Sequence, residues 1–375
     1  MQKPFLHDYW DVKIRGTSVW SYFRFSHNNQ PSSQYKPKFK LGIIDIVFFF
    51  KLLFLRFSKV ETVIFLAARN DLLSLLDSAL FSSKNKLVFL REDGHGVAGN
   101  VFIIEAIRFL FRSCSPFLFK RDYKSLKAQL KKIDLNLYEN EGCIKAAIGD
   151  LYFNKLLSFF LKGKKVYFSN CVVPKIERVQ YLSNSVEIQH GVIYELHPDY
   201  GKVPKELFKV PLLCWGDFWF NRIKAMGFEG DILVGPSPRS KSSTQAYPNS
   251  ICFFTTVSEH ISAKILACIE HTSGLNIFLQ PHPRDFYDYK KNKSQFSFEI
   301  CKGLSPLEVS WPIMHDSTLA YICAQNKKYF IYLAGDDEAE SEIVERLLQK
   351  YGAEIGRHYS IAFSSSDIVK IVSAH

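Results

Sequence analysis

The chain has no Cys-x-x-Cys pair, no Cys/His cluster at metal-binding spacing, no internal repeat and no long low-complexity tract. Each absence removes a class of protein. The eight cysteines, at 114, 143, 171, 214, 252, 268, 301 and 323, are scattered. Several sit in apolar runs such as SICFFTT, where cysteine behaves as a small hydrophobe. Neither a zinc site nor a disulfide scaffold fits this usage, and reduced thiols in a cytoplasmic protein are expected. The opening MQKPFLHDYWDVKIRG has no basic segment followed by an apolar core, so no secretory signal is expected. Basic residues are dispersed and no recognition motif for nucleic acid occurs, which removes nucleic acid as a partner. The longest apolar stretch, 41–57, is interrupted by Asp45, Lys51 and Arg56. It is too short and too charged to span a bilayer.

What is present describes an ordinary globular chain. Its 375 residues favour two domains, and its 47% hydrophobic and 23% charged content rule out disorder. Thirty-three phenylalanines, many near the N-terminus as in IVFFFKLLFLRF, suggest a greasy surface as well as a core. For segment 41–57 the first reading is a buried amphipathic helix. The second is an interfacial contact with a membrane. The net charge of +11 suits an anionic membrane surface or an acidic substrate. Loose attachment to the inner membrane is therefore an expectation.

After a polar loop at 26–40, which follows an aromatic N-terminal hairpin, strand-length apolar runs alternate with helical stretches. VETVIFLAA, NKLVFLRE, KKVYFSN and SVEIQHG read as strands, with DLLSLLDSAL and IKAAIGDLYFNKLLSFFLK as helices between them. The Ser-, Pro- and Gly-rich DILVGPSPRSKSSTQAYPNS reads as an interdomain linker. A second series follows: SICFFTT, the helix HISAKILACIEHT, LNIFLQPHPRD, EVSWPIMHDSTLAYICA and KKYFIYLAG. The amphipathic helix AESEIVERLLQKYG comes last. Such alternation predicts parallel sheets in two Rossmann-like halves joined near residue 236, with a ligand cleft between them.

Functional groups in such sheets sit at the carboxyl ends of strands. Four ends here carry unusual polar chemistry. The first is Glu92-Asp93-Gly94, followed by His95, which offers a carboxylate pair or simply a solvated turn. The second holds Gln189, His190, Gly191, His197 and Tyr200, whose histidines either bind ligand or hydrogen-bond structurally. The third is His282, Pro283 and Arg284, after a strand. The fourth is Ser317-Thr318 at a helix start, a plain cap or a phosphate-binding end. GDDEAE (335–340) leads into a helix, and charge stabilisation of that helix accounts for it without a metal.

In this order the Glu92-Asp93-Gly94, His282-Pro283 and Ser317-Thr318 motifs resemble those of the bacterial sialyltransferases and related Kdo and capsule glycosyltransferases of the GT-B fold. QHGVIYELHPDYG is similar instead to a stretch of QHG-containing proteins of capsule and O-antigen loci. The resemblance implies an α/β GT-B fold, with two Rossmann-like domains facing each other across a cleft. Residues 1–235 would form the acceptor side and 236–375 the nucleotide-sugar side, its last helix free to pack back on the first domain. It implies an inverting transfer that needs no metal and no cofactor. Asp93, with Glu92 in reserve, would take the acceptor proton. His282 would stabilise the leaving phosphate. Pro283, Arg284, Ser317, Thr318, Thr255 and Thr256 would hold the nucleotide. Gly94, His95, Gln189, His190, Gly191 and His197 would bind donor or acceptor. The expected partners are a nucleotide sugar, CMP-linked first and a UDP-sugar or CDP-polyol next, and a glycan or glycolipid acceptor of surface polysaccharide synthesis. A noncatalytic protein that binds glycan through a degenerate cleft is the rival from another class.

Overall fold

A computed structural model of the chain describes residues 9–23, 42–92, 98–133, 138–169, 184–191, 193, 200, 203–237, 247–256, 258–270, 272, 274–282, 285, 287–292, 297–315, 317, 319–335 and 358–374. The chain divides into two compact units at 238/239.

The first unit opens on an antiparallel hairpin, β1 (Lys13–Ile14) and β2 (Thr17–Ser18). Arg15 and Gly16 at its tip both have positive φ, 50° and 79°, as a primed two-residue turn requires. Six parallel strands follow: β3 (Thr62–Ala67), β4 (Lys86–Arg91), β5 (Lys165–Ser169), β6 (Ser185–Ile188), β7 (Leu212–Trp215) and β8 (Ile232–Gly235). Their order is β4-β3-β5-β6-β7-β8. β3 is an unbroken apolar run, TVIFLA, buried from Val63 to Ala67, as a strand covered on both faces should be. Helices α1 (Ile43–Leu53), α2 (Phe102–Leu118), α3 (Lys120–Ile133), α4 (Glu141–Phe160) and α5 (Gly216–Ala225) complete the unit.

The second unit holds β9 (Tyr247–Phe254), β10 (Asn276–Gln280), β11 (Glu299–Ile300), β12 (Val309–Met314), β13 (Phe330–Leu333) and β14 (Tyr359–Ala362). They form a second six-stranded parallel sheet, in the order β11-β10-β9-β12-β13-β14. Its helices include α6 (Glu259–Glu270), α7 (Leu319–Gln325) and α8 (Ser365–Ala374). Ile251 and Phe253 of β9, Ile261 and Ile265 of α6, and Ile368 of α8 share one buried cluster. Thus α8, the last helix described, packs on its own unit's sheet, whereas AESEIVERLLQKYG lies outside the described residues. Two parallel α/β units are what the alternation of runs predicts.

Helices α2 and α4 meet around one carboxylate. Asp150 is fully buried and receives both guanidiniums of α2 side-on. Arg108 bonds it at 3.0 and 2.9 Å, and Arg112 at 2.7 and 2.6 Å. The Tyr22 hydroxyl donates to it as well. Burial opposes the charge on Asp150, but Arg108 and Arg112 outweigh burial and hold the carboxyl well below its ordinary value. The neighbouring Gly149 is required by this contact. A Cβ there would lie 2.5 Å from the Arg112 backbone.

Several readings of the sequence need correction. Segment 41–57 is helical but is not a buried amphipathic helix. Within α1 the buried residues are Asp45 and Leu52, while Ile43 is 82% and Phe50 52% exposed. The acid is inside because its two oxygens accept from the Gly42 and Phe102 N–H groups, at 2.9 Å each, capping α1 and α2 together. DLLSLLDSAL forms only the short helix Asn70–Leu73 and then 3-10 turns. There the Ser78 hydroxyl bonds the Leu75 carbonyl at 2.6 Å, a local alternative to helix bonding. The linker is shorter than its composition suggests, since Ile232–Gly235 is the edge strand β8 and Tyr247 begins β9. Seven cysteines are free among the described residues. Burial pushes the Cys214 and Cys268 thiols up to about 11, which keeps them inert.

Asp150→Asn leaves two guanidiniums beside a neutral group, and should cost about 3–5 kcal/mol of stability in denaturant unfolding. The folded carboxyl titrates below its ordinary 3.8, so its contribution is complete at neutral pH and is lost as pH falls toward the folded value. The variant should therefore lose less stability on acidification than the parent does.

Candidate functional site

In the first unit the carboxyl ends of the strands present four groups along one rim. Glu92 follows the edge strand β4 and is exposed. Gly99 and Asn100 pack back against the end of β4. Asn100 accepts the Leu90 N–H on its side-chain oxygen at 2.7 Å and donates its own N–H to the Leu90 carbonyl at 2.8 Å. Gly99 lies so close that a Cβ would stand 2.7 Å from the Glu92 nitrogen. Here the need for glycine is a close approach of two backbones. Asp93, Gly94 and His95 lie outside the described residues, as do His197, Pro283, Arg284, Thr318 and positions 336–340 of GDDEAE.

The QHG end is built differently from expectation. Gln189 is fully buried and its side chain is committed to the fold. Its carbonyl oxygen accepts the Trp215 N–H at 2.9 Å, and its amide donates to the Gly191 carbonyl at 2.8 Å. Gln189 therefore holds the His190-Gly191 turn against the end of β7 and is not a ligand group. Arg69, after β3, reaches over β5 to donate to the His190 carbonyl at 3.1 Å. Tyr200 is buried and donates to the Glu187 carboxylate within β6 at 2.6 Å. At the end of β7 the Trp215 indole N–H is buried and has no acceptor among the described residues. Sequence reading passed over Arg69, Glu187 and Trp215.

The second unit brings the HP and Ser motifs to one rim, on either side of β9. Gln280, Phe254 and Met314 are in register across β10, β9 and β12, so His282 and Ser317 follow at similar heights. Thr255 was expected at a phosphate; its hydroxyl is instead spent on the fold. It donates to Asp285 and accepts the His282 N–H at 2.8 Å. Asp285 in turn donates its N–H to the His282 carbonyl at 2.8 Å and accepts from the Tyr289 hydroxyl at 2.8 Å and the Tyr287 N–H at 3.0 Å. Burial and this carboxylate push the Tyr289 phenol upward. The main chain of His282 is thus clamped on both sides, which sets where its imidazole starts from.

Ser317 caps α7, accepting the Leu319 N–H on its hydroxyl oxygen at 3.2 Å. The plain capping role is real. Thr256 is half-buried at the end of β9. Two further residues of this rim carried no sequence signal beyond their types. His315, buried beside Ser317, shares a hydrogen bond from Nδ1 to the Leu333 carbonyl at 2.9 Å. Lys264 of α6 brings its ammonium to the Ala334 carbonyl at 3.0 Å, at the end of β13. Asp285 could have been read from its place after His282-Pro283-Arg284, as an acid closing a strand-end turn.

By architecture the chain is an α/β protein of two units, each built on a parallel six-stranded sheet. No family model and no curated protein matches it in sequence. Among solved structures it is similar to the Methanocaldococcus jannaschii UDP-GlcNAc 2-epimerase in complex with UDP-GlcNAc and UDP. That chain is 13% identical, with a TM-score of 0.46 over 84% of this chain and 92% of the other. It is also similar to the E. coli heptosyltransferase WaaC with ADP, at 12% identity and a TM-score of 0.35 over 83% of this chain and 99% of that one.

Thr255→Val removes both the acceptor for His282 N–H and a donor to Asp285. It should lower stability by about 1–3 kcal/mol, the cost of leaving buried polar groups unmatched, while Thr255→Ser stays near the parent. Equilibrium unfolding of the three proteins checks this.

Proposed function

We propose that the chain is an inverting glycosyltransferase that takes its sugar from a nucleotide donor for a surface polysaccharide. A CMP-linked nonulosonic acid or Kdo is the first choice of donor. The observation that carries the reading is the rim of the second sheet. There His282, held by Thr255 and Asp285, and Ser317, at the start of α7, flank the end of β9. Two strand spacings, about 10 Å, separate their strands. A phosphate seated over the end of β9 can be reached from both sides across that distance. Lys264 adds a cation on the same rim.

In this scheme the acceptor hydroxyl oxygen attacks the anomeric carbon from the face opposite the nucleotide. Its proton passes to a carboxylate of the Glu92-Asp93 turn, with Asp93 first. The bond from the anomeric carbon to the phosphate oxygen breaks, and the electron pair leaves with the nucleotide. His282 donates a hydrogen bond to that oxygen as charge grows on it. The scheme routes no step through a metal ion.

Thermal shift against CMP, UDP, CDP and GDP should single out CMP. Turnover with the matching donor sugar then tests the roles. Asp93→Asn should lower turnover by about 10²-fold or more with little change in nucleotide binding. His282→Ala should lower turnover strongly. Preference for UDP or CDP would replace the donor and leave the chemistry. Nucleotide binding without any transfer or donor hydrolysis would favour the noncatalytic glycan binder, and normal turnover in Asp93→Asn with Glu92→Gln would remove the base from this turn.

A further inference from the structure

The first unit carries an apolar surface that no part of the described fold covers. It begins on α1 with Ile43 and Phe50, exposed by 82% and 52%, and runs into the turn after it with Phe54 and Phe57, exposed by 64% and 82%. It continues on the outer end of α2, where Phe117 is 84% and Leu118 67% exposed, and on α4, where Phe159 is 54% exposed. These three helices converge, because Phe49 and Leu53 of α1, Ile104 and Ile107 of α2, and Leu156 and Phe160 of α4 line one half-open cavity of about 130 Å³. Only apolar side chains line it. An apolar recess of such size offers water no hydrogen-bond partner and suits a short length of hydrocarbon. Exposed aromatic and aliphatic groups in this number mark an interaction site.

Charge identifies the occupant. Segments 46–60, 106–121 and 151–165, which contain the exposed apolar residues of α1, α2 and α4 apart from the first turn of α1, include no acidic residue. They contain Lys51, Arg56, Lys120, Arg121, Lys155 and Lys162. Of the acids that flank these segments, Asp45, Asp122 and Asp150 are buried and Glu105 is paired with Arg91 at 2.8 Å, while Glu61, just before β3, is exposed. Arg56 and Lys51 lie over the rings of Phe159 and Phe48, each at 4.7 Å, so cation and apolar surface are interleaved. A protein partner would be matched by mixed charge. An all-basic rim around an apolar centre matches a bilayer with anionic headgroups. Among the described residues no helix is long and apolar enough to cross a membrane, so the contact lies in the interface.

We infer that the α1–α2–α4 face of the first unit docks on an anionic lipid surface and seats the end of one acyl chain in its cavity. The face is independent of the strand-end rims, and the inference stands whether or not the chain transfers a sugar.

Sedimentation with phosphatidylcholine vesicles, with and without phosphatidylglycerol, tests the docking. The full chain should pellet with the anionic vesicles and be released as salt shortens the Debye length from ~10 Å at 0.1 M to ~3 Å at 1 M. Phe50→Ser, Phe117→Ser and Phe159→Ser, all exposed, should each weaken partitioning about tenfold, as expected for losing a buried aromatic group, with thermal unfolding unchanged. Monomeric lysophosphatidylglycerol should bind at one site by calorimetry. Ile107→Phe, and separately Leu156→Phe, should abolish that site by filling the cavity. No pelleting at low salt, or equal pelleting of the Ser variants, overturns the docking. So does a dimer in gel filtration that these same variants dissolve, since the face would then be a contact between two copies. Absence of single-site lipid binding, or its survival in both cavity variants, overturns the acyl site.

Discussion

A carboxylate shut away from water organises the helical layer of the first unit. Asp150 alone at that depth would be prohibitively costly, and it is tolerated because two guanidiniums and a phenol surround it with hydrogen bonds. Arg108 and Arg112 are four residues apart, on one face of α2, so engaging both side-on fixes the rotation of that helix on α4. Gly149 then permits the backbones to approach. Asp45 repeats the device at the other end, tying the starts of α1 and α2 through one side chain. With helix orientation set by buried ionic contacts, the apolar stripes of α1 and α2 are not obliged to point inward. This is how Phe54 and Phe117 stay outside.

Both sheets end on polar side chains that serve the backbone before they can serve a ligand. Gln189 holds the QHG turn, Asn100 packs back against the end of β4, Thr255 and Asp285 clamp His282, and Ser317 caps α7. Such groups locate their neighbours to within a hydrogen bond, which is what preorganised sites require of their supporting residues. At the second rim these supports fix the main chain of His282, and at the first they fix the turn beside the Trp215 indole.

Strands β3, β4 and the second half of β9 were legible because TVIFLA, KLVFLR and ICFF are apolar runs of strand length, whereas the YPNS that opens β9 was read as linker. Edge strand β8 was hidden inside a Gly- and Pro-rich stretch, being four residues long and half exposed. Strand β14 and α8 were missed because YSIA is short and only its ends are buried. The orientation of α1 was misread for a deeper reason. Periodicity reports which residues are apolar, and it cannot report that the lone acid is wanted inside as a cap for two helices. Among the site residues, the places of His282 and Ser317 followed from strand ends alone. The duties of Gln189 and Thr255 did not, since a side chain that bonds its neighbour's backbone looks in sequence like one that awaits a ligand.

Strand order also constrains which groups can act together. Along β4-β3-β5-β6 the end carrying Glu92 and the end carrying His190 are three strand spacings apart, about 14 Å. A carboxylate and an imidazole so separated cannot share one proton in flight, which needs heavy atoms about 3 Å apart. A general base drawn from this rim would therefore come from one end or the other, not from both together. Arg69 lies between them, at the end of β3, and already grips the His190 carbonyl. Its cationic head stiffens the QHG turn. It also places a positive charge along the stretch of rim that an anionic acceptor or donor would have to cross.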